Sequence, residues 1–314
     1  MYGRGCPSVR WPPSLLLVAP ATYAVEMGAL LAAYREQGID VRCWWYAGQQ
    51  PVESDIVRAA DGHDAALLLG ERARAPRTVL SGPVLRVGSD RFVPVGWLPV
   101  TDRPALRRFA DAAARVQLRA RSEASTALLA QRHPRYLRLA RRMQEILNDR
   151  PVYRWTADAV VREEMLRGLA SGLGAAIYFG HGRPIGWVGY YGLRAHHFDD
   201  FRGEPLGALL SLCCDTASRR RTGLSFAEAL PLRGVCGSVL AAVSATRHTD
   251  NTGWAVRLSD AMRDGAKTIG ELVCEALPLV PRQWAPYRII GDPLAPLHAP
   301  ALGCERAEAI EVFA

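Results

Sequence analysis

Lysine is nearly missing from this 314-residue chain: of 39 basic residues only Lys267 is lysine, and the others are arginine. So one-sided a usage follows the composition of a source as readily as the needs of a ligand. The formal charge of +8 therefore does not identify an anionic partner by itself. Long apolar runs are also lacking, and none approaches the roughly 20 residues that span a bilayer as a helix. Neither the Gly-Lys-Ser/Thr of a phosphate loop nor a G-x-G-x-x-G dinucleotide fingerprint occurs. The stretch Gly234-Val235-Cys236-Gly237-Ser238 lacks the G-x-S-x-G pattern of a serine nucleophile elbow. No internal repeat or low-complexity tail is visible. The cysteines (Cys6, Cys43, Cys213, Cys214, Cys236, Cys274 and Cys304) show no repeated spacing, which excludes a disulfide framework or a zinc ribbon and suits a reducing compartment. Arg4 and Arg10 precede a short apolar run at 15–19, but Pro20 interrupts it, so the segment is read as retained fold and the protein as cytoplasmic.

What is present is ample material for a core, with 49% hydrophobic residues. Apolar runs at 15–19, 39–46 and 65–69 alternate with helical patterns at 25–37 and 53–60, and Gly38 supplies a C-cap. This alternation predicts an α/β fold with a predominantly parallel sheet flanked by helices. A hairpin is expected near 86–92. The passage from Pro94 to Val100 reads as extended but outside the central sheet, because it holds Pro94 and Pro99. A helix over 104–116 starts on a proline. Residues 1–118 are expected as an N-terminal α/β subdomain, 119–154 as a helical connection, and 155–314 as the subdomain that carries the chemistry. Arg132, Arg135, Arg138, Arg141 and Arg142 read as a solvated helix face, or as a contact for an acidic protein or a nucleic-acid backbone. No nucleic-acid motif accompanies them, so no specific nucleic-acid partner is expected.

Two groups carry chemistry. Gly180-His181-Gly182 follows the apolar run 175–179, and Cys213-Cys214-Asp215-Thr216 follows the run 206–212, which places an imidazole and a thiol at the exits of two strands. A cysteine there attacks a carbonyl when a nearby imidazole takes or organises its proton. Neighbouring residues of an extended chain point to opposite faces, so the two cysteines have different surroundings. Cys214 is assigned to the cleft and Cys213 to the interior, with Cys213 as the alternative nucleophile. Asp199, Asp200 and Asp215 are read as turn, cap or solvated charges. His181, His196 and His197 with a cysteine have donor atoms that suit zinc, but their spacing is irregular and no metal is expected.

These residues carry a resemblance. Ile177 to Gly182, Leu210 to Thr216, Ser225 to Leu230, the run 235–246 and Tyr287 to Leu294 together resemble the gingipain-like branch of caspase-fold cysteine peptidases. Val93 to Val100 resembles the segment that closes the first subdomain in that family. The chain departs from the pattern at Ala217, where a glycine often follows the nucleophile region, and at Trp97, where the family often has arginine. The resemblance implies a caspase-like second subdomain and a cysteine endopeptidase. His181 would be acid/base and Cys214 nucleophile, a thioester acyl-enzyme would form, and the backbone N–H groups of Gly182 and Cys214 would make the oxyanion hole. No cofactor is expected. The implied partners are a protein or peptide substrate and a regulatory protein. The loop with His248, Asp250, Asn251 and Trp254 is expected to wall the substrate pocket, with Trp187, Asp250 and Trp254 as candidate pocket residues, while Tyr190 and Tyr191 lie in the loop after His181. The alternative is a catalytically inactive caspase-like protein-interaction module.

Overall fold

Five successive residues with 0–1% exposure, 15–19, make the strand around which the first half of the protein is assembled. It is β1 (Ser14–Pro20), followed by α1 (Gly28–Glu36), β2 (Asp40–Tyr46), α2 (Glu53–Ala59) and β3 (Ala65–Glu71). β1 lies between β2 and β3, and both pairings are parallel. Gly38 closes α1 with φ +70°, the left-handed conformation expected of a C-cap glycine. The computed structural model describes residues 12–119, 125–277 and 281–297. Cys6, Cys304, Arg4 and Arg10 lie outside the described residues.

After α3 (Pro76–Val79), β4 (Val84–Val87) and β5 (Arg91–Val100) form the antiparallel hairpin. The two prolines do not keep this passage out of the sheet, contrary to the sequence reading. β5 is a central strand, parallel to β3 on one flank and to the last strand on the other. That last strand engages only Gly96 and Trp97, so at Pro94 and Pro99 one flank carries no ladder for a missing N–H to break. Gly96 permits the contact, because a Cβ there would overlap the Gly291 carbonyl oxygen.

α4 (Arg103–Leu118) begins at Asp102, whose carboxylate accepts from Ala105 N–H at 2.7 Å. The segment 119–154, expected as a helical connection, instead supplies β6 (Thr126–Ala130), α5 (Pro134–Ile146) and most of β7 (Val152–Thr156). β6 is a fully buried run of five residues, too short for periodicity to separate it from a helix. There follow α6 (Arg162–Leu169), β8 (Ala175–Phe179), a ribbon of β9 (Gly182–Arg183) and β10 (Gly186–Trp187), and the one-turn α7 (Gly189–Gly192). The chain ends its described course through β11 (Leu206–Leu212), α8 (Phe226–Leu232), β12 (Cys236–Ala242), α9 (His248–Arg263), α10 (Ile269–Ala276) and β13 (Tyr287–Gly291).

The main sheet runs β2-β1-β3-β5-β13-β12-β11-β8-β6-β7, with β4 attached to β5. Along this path only β12 and β13 are antiparallel, so the first-half strands and β13 point one way and β12, β11, β8, β6 and β7 point the other. This is the expected α/β class, a mostly parallel sheet flanked by helices. The halves are also joined by a buried carboxylate. Asp292, just past β13, accepts from Tyr34 Oη of α1 at 2.7 Å and from Gln117 Nε2 of α4 at 2.7 Å.

Candidate active site

Register brings three strand ends to one edge. Phe179 of β8 is opposite Leu212 of β11 on one side and Ala130 of β6 on the other. The next residues along each strand are therefore neighbours: Gln131 after β6, His181 after β8, and Cys213 and Cys214 after β11.

The backbone of His181 is held at three points. Its N–H donates to Gln131 Oε1 at 2.9 Å, and its carbonyl accepts from Val188 N–H at 2.9 Å and from Tyr178 Oη at 3.2 Å. The imidazole is exposed, with Nε2 at 3.4 Å from Tyr136 Oη. The flanking glycines serve close packing: a Cβ at Gly180 would strike the Tyr178 hydroxyl, and one at Gly182 would strike the Cys214 carbonyl and Cys213 Sγ. Neither glycine has positive φ. The ribbon after His181 thus lies directly on the cysteine pair.

The two cysteines, in the bend just past β11, differ in burial. Cys213 is 0% exposed, its Sγ lies 3.3 Å from Ser211 Oγ, and burial pushes its thiol up to about 12. Cys214 is half-buried; its sulfur accepts from Thr246 N–H at 3.4 Å and approaches Thr246 O at 3.5 Å. Asp215 then turns the chain away with φ 61°, a conformation aspartate tolerates better than most residues. Among the described residues, His181 and Cys214 are not hydrogen-bonded to each other, since their polar atoms meet Tyr136 and Thr246.

Trp187 and Trp254 are not pocket walls. Trp187 is 0% exposed, stacks on Tyr178 with centroids 4.0 Å apart, and donates from Nε1 to Ser211 Oγ at 2.8 Å. Ser211 Oγ in turn lies 3.0 Å from Thr216 Oγ1, so a buried polar chain runs past Cys213 from the His181 ribbon to the turn after the cysteines. Trp254 is also 0% exposed and packs against Tyr287. The segment expected as a loop around it is the helix α9, whose buried positions include 250, 254, 258 and 262, a helical spacing. Asp250 sits in the first turn of α9 with its side chain 12% exposed, 3.9 Å from Arg282. Asn251 ties that turn to the site, donating from Nδ2 to the Leu212 carbonyl at 3.5 Å and accepting from Tyr287 Oη at 2.8 Å. Tyr190 is buried and donates to the Trp155 carbonyl, whereas Tyr191 is 85% exposed.

Asp199 pairs with Arg233 at 2.7 Å, and His196 faces His197 with ring centroids 4.3 Å apart. Among the described residues, no group of three or more histidine, cysteine or carboxylate side chains is arranged to hold a metal ion. No helix among them is long and apolar enough to cross a membrane. Gln131, Tyr136, Ser211 and Thr246 escaped the sequence reading. Recognising β6 would have carried Gln131 and Tyr136 to the same edge as His181.

The profile of peptidase family C25 matches residues 101–298, a span containing every residue of the site. No curated protein sequence matches the chain. In fold it is similar to the arginine-specific cysteine proteinase gingipain R, with a TM-score of 0.76 at 11% identity over 91% of this chain and 78% of that one. The complex of RgpB pro- and mature domains from Porphyromonas gingivalis gives 0.73 at 13% identity, covering 91% and 81%. Separase in the Saccharomyces cerevisiae separase–securin complex gives 0.52 at 14% identity, covering 73% of this chain and 16% of separase.

Proposed function

The chain belongs to peptidase family C25, a family of cysteine peptidases, and from that premise we propose that it is an endopeptidase working through His181 and Cys214. One observation carries the reading: the only half-buried thiol of the Cys213-Cys214 pair and an exposed imidazole leave adjacent parallel strands at one edge.

In the proposed reaction the Cys214 sulfur attacks the peptide carbonyl carbon, and the thiol proton passes to His181. The carbonyl π electrons move to oxygen, giving a tetrahedral oxyanion that the backbone N–H groups of Gly182 and Cys214 stabilise. As the C–N bond breaks, His181 returns the proton to the departing amine, leaving a thioester on Cys214. Water then adds to the thioester while His181 takes its proton, and the acid leaves with regeneration of the thiol. Tyr136 and Gln131 position the imidazole throughout.

A regulatory protein partner belongs to this proposal, since separase is crystallised with securin, and so does action in the cytoplasm. The inactive interaction module is the competing reading, favoured by the bonding of His181 and Cys214 to Tyr136 and Thr246 instead of to each other. A peptide-library cleavage assay separates the two, run on the native protein and on Cys214→Ala, Cys213→Ala and His181→Ala. Cleavage lost in the Cys214 and His181 variants and kept in the Cys213 variant supports the peptidase. Cleavage unchanged in Cys214→Ala, or absent from the native protein, rejects the assignment.

A further inference from the structure

The mouth of the site on the His181 side gathers imidazoles and an arginine. Around the single ring of Tyr136 stand His133, His181 and His248, with centroids at 5.7, 5.6 and 5.7 Å, and the Arg135 guanidinium lies 5.9 Å from the ring. From that point α5 carries the positive charge away from the cleft: Arg135, Arg138, Arg141 and Arg142 are all exposed. None of the ion pairs among the described residues involves them. The only acidic residue of α5 is Glu145, near its far end. On the opposing helix, Asp250 is largely covered and faces Arg282, so it offers little negative charge to the cleft. His248 is held below the usual imidazole range first by burial and then by Arg135, His133 and His181. No carboxylate is among the groups that act on it.

We infer that the substrate of this site is an acidic peptide segment, with a carboxylate side chain flanking the scissile bond received by Arg135, His133 and His248, and further acidic residues following the arginines of α5. The inference rests on the peptidase reading above. A guanidinium matches a carboxylate in two parallel hydrogen bonds, and a stripe of exposed like charges speeds the encounter with an oppositely charged partner. Nucleic-acid phosphates match the same charges. A peptide is favoured because the stripe begins beside the tyrosine that meets His181, so its occupant is led into the cleft.

The test uses matched fluorogenic peptides that differ only in Asp, Asn or Lys at the residues flanking the cleaved bond. They are assayed with the native protein, Arg135→Gln, the double variant Arg138→Gln with Arg142→Gln, and Cys214→Ala. The Asp peptide is expected to exceed its Asn analogue by about tenfold in kcat/KM, the scale of one charge-assisted contact. Arg135→Gln should bring that ratio towards one, and added salt should reduce it. The double variant should slow cleavage of longer peptides with an acidic extension while sparing short ones. Cys214-dependent cleavage without acid preference, or with a preference for Lys, overturns this inference and leaves the peptidase reading standing. Absence of Cys214-dependent cleavage of every peptide overturns both. An oligodeoxynucleotide that binds the α5 arginines more tightly than the acidic peptide also overturns it, and assigns the stripe to nucleic acid.

Discussion

Tyr136 stands edge-on to His181, with ring planes at 89° and its hydroxyl 3.4 Å from Nε2. The tyrosine is 6% exposed, so its packing on α5 fixes where the imidazole rests. Burial raises its phenol above the ordinary range, which keeps it neutral through the working range of a histidine. Tyr136→Phe keeps the ring and removes the hydrogen bond. The expected loss in kcat is about fivefold, the worth of one neutral hydrogen bond, with KM little changed and a displaced histidine limb in the pH–rate profile. An unaltered pH profile would reduce Tyr136 to a packing residue.

Thiol reactivity should separate the neighbours Cys213 and Cys214. With burial pushing the Cys213 thiol up to about 12, raising the pH from 7 to 9 leaves it almost wholly protonated. Iodoacetamide followed by peptide mass mapping should therefore find Cys214 modified well before Cys213 at every pH in that interval. Equal rates at the two positions would contradict the burial difference.

Trp187→Phe tests the buried chain beneath the cysteines. The indole N–H to Ser211 is lost while the ring stack on Tyr178 is largely kept. Stability measured by urea denaturation should fall by about 1–2 kcal/mol. Activity should fall with it, because the indole links the His181 ribbon to the strand that delivers Cys214. A variant of native stability and full activity would show that this link positions nothing.

The turn after the cysteines is anchored by an ion pair. Glu228 is fully buried, and Arg219 reaches it with Nε at 2.8 Å and Nη2 at 2.6 Å, while Trp97 Nε1 adds a donor at 3.3 Å. Trp97, where the resembled family often has arginine, thus meets a carboxylate whose cationic partner comes from Arg219. Arg219→Ala should cost about 3 kcal/mol, since it strands a buried charge. Replacing both members, Arg219→Met with Glu228→Leu, should cost less than the single change. A single-variant loss below the double-variant loss would reject the pair as the anchor.

Where a run of buried residues ended at a glycine or a polar cluster, the sequence was enough to locate the element: β8 and β11 begin and end where their apolar runs do. A difference in burial between Cys213 and Cys214 was expected from alternation along an extended chain, although both lie in the bend just past β11. β6 escaped because five apolar residues carry no distinguishing period, and with it went Gln131 and Tyr136. α9 had its four-residue spacing in Asp250, Trp254, Leu258 and Met262, but the polar turn 248–252 reads as loop until Leu212 and Tyr287 are seen to bond Asn251. The burial of Trp187 and Trp254 was illegible for a different reason: each is covered in part by a residue remote in sequence, Phe226 over Trp187 and Tyr287 over Trp254. Pro94 and Pro99 misled because the partial pairing of β13 along β5 is a property of the whole sheet.

The central claim, that Cys214 is the nucleophile and His181 its acid/base, is tested most directly by alkylating the nucleophile with a substrate-like reagent. The native protein would be treated with an acidic peptidyl acyloxymethyl ketone and the adduct mapped by tandem mass spectrometry. The account requires a single adduct on Cys214, absent from Cys214→Ala, strongly slowed in His181→Ala and retained in Cys213→Ala. An adduct on Cys213, or labelling of Cys214 at an equal rate without His181, would contradict it.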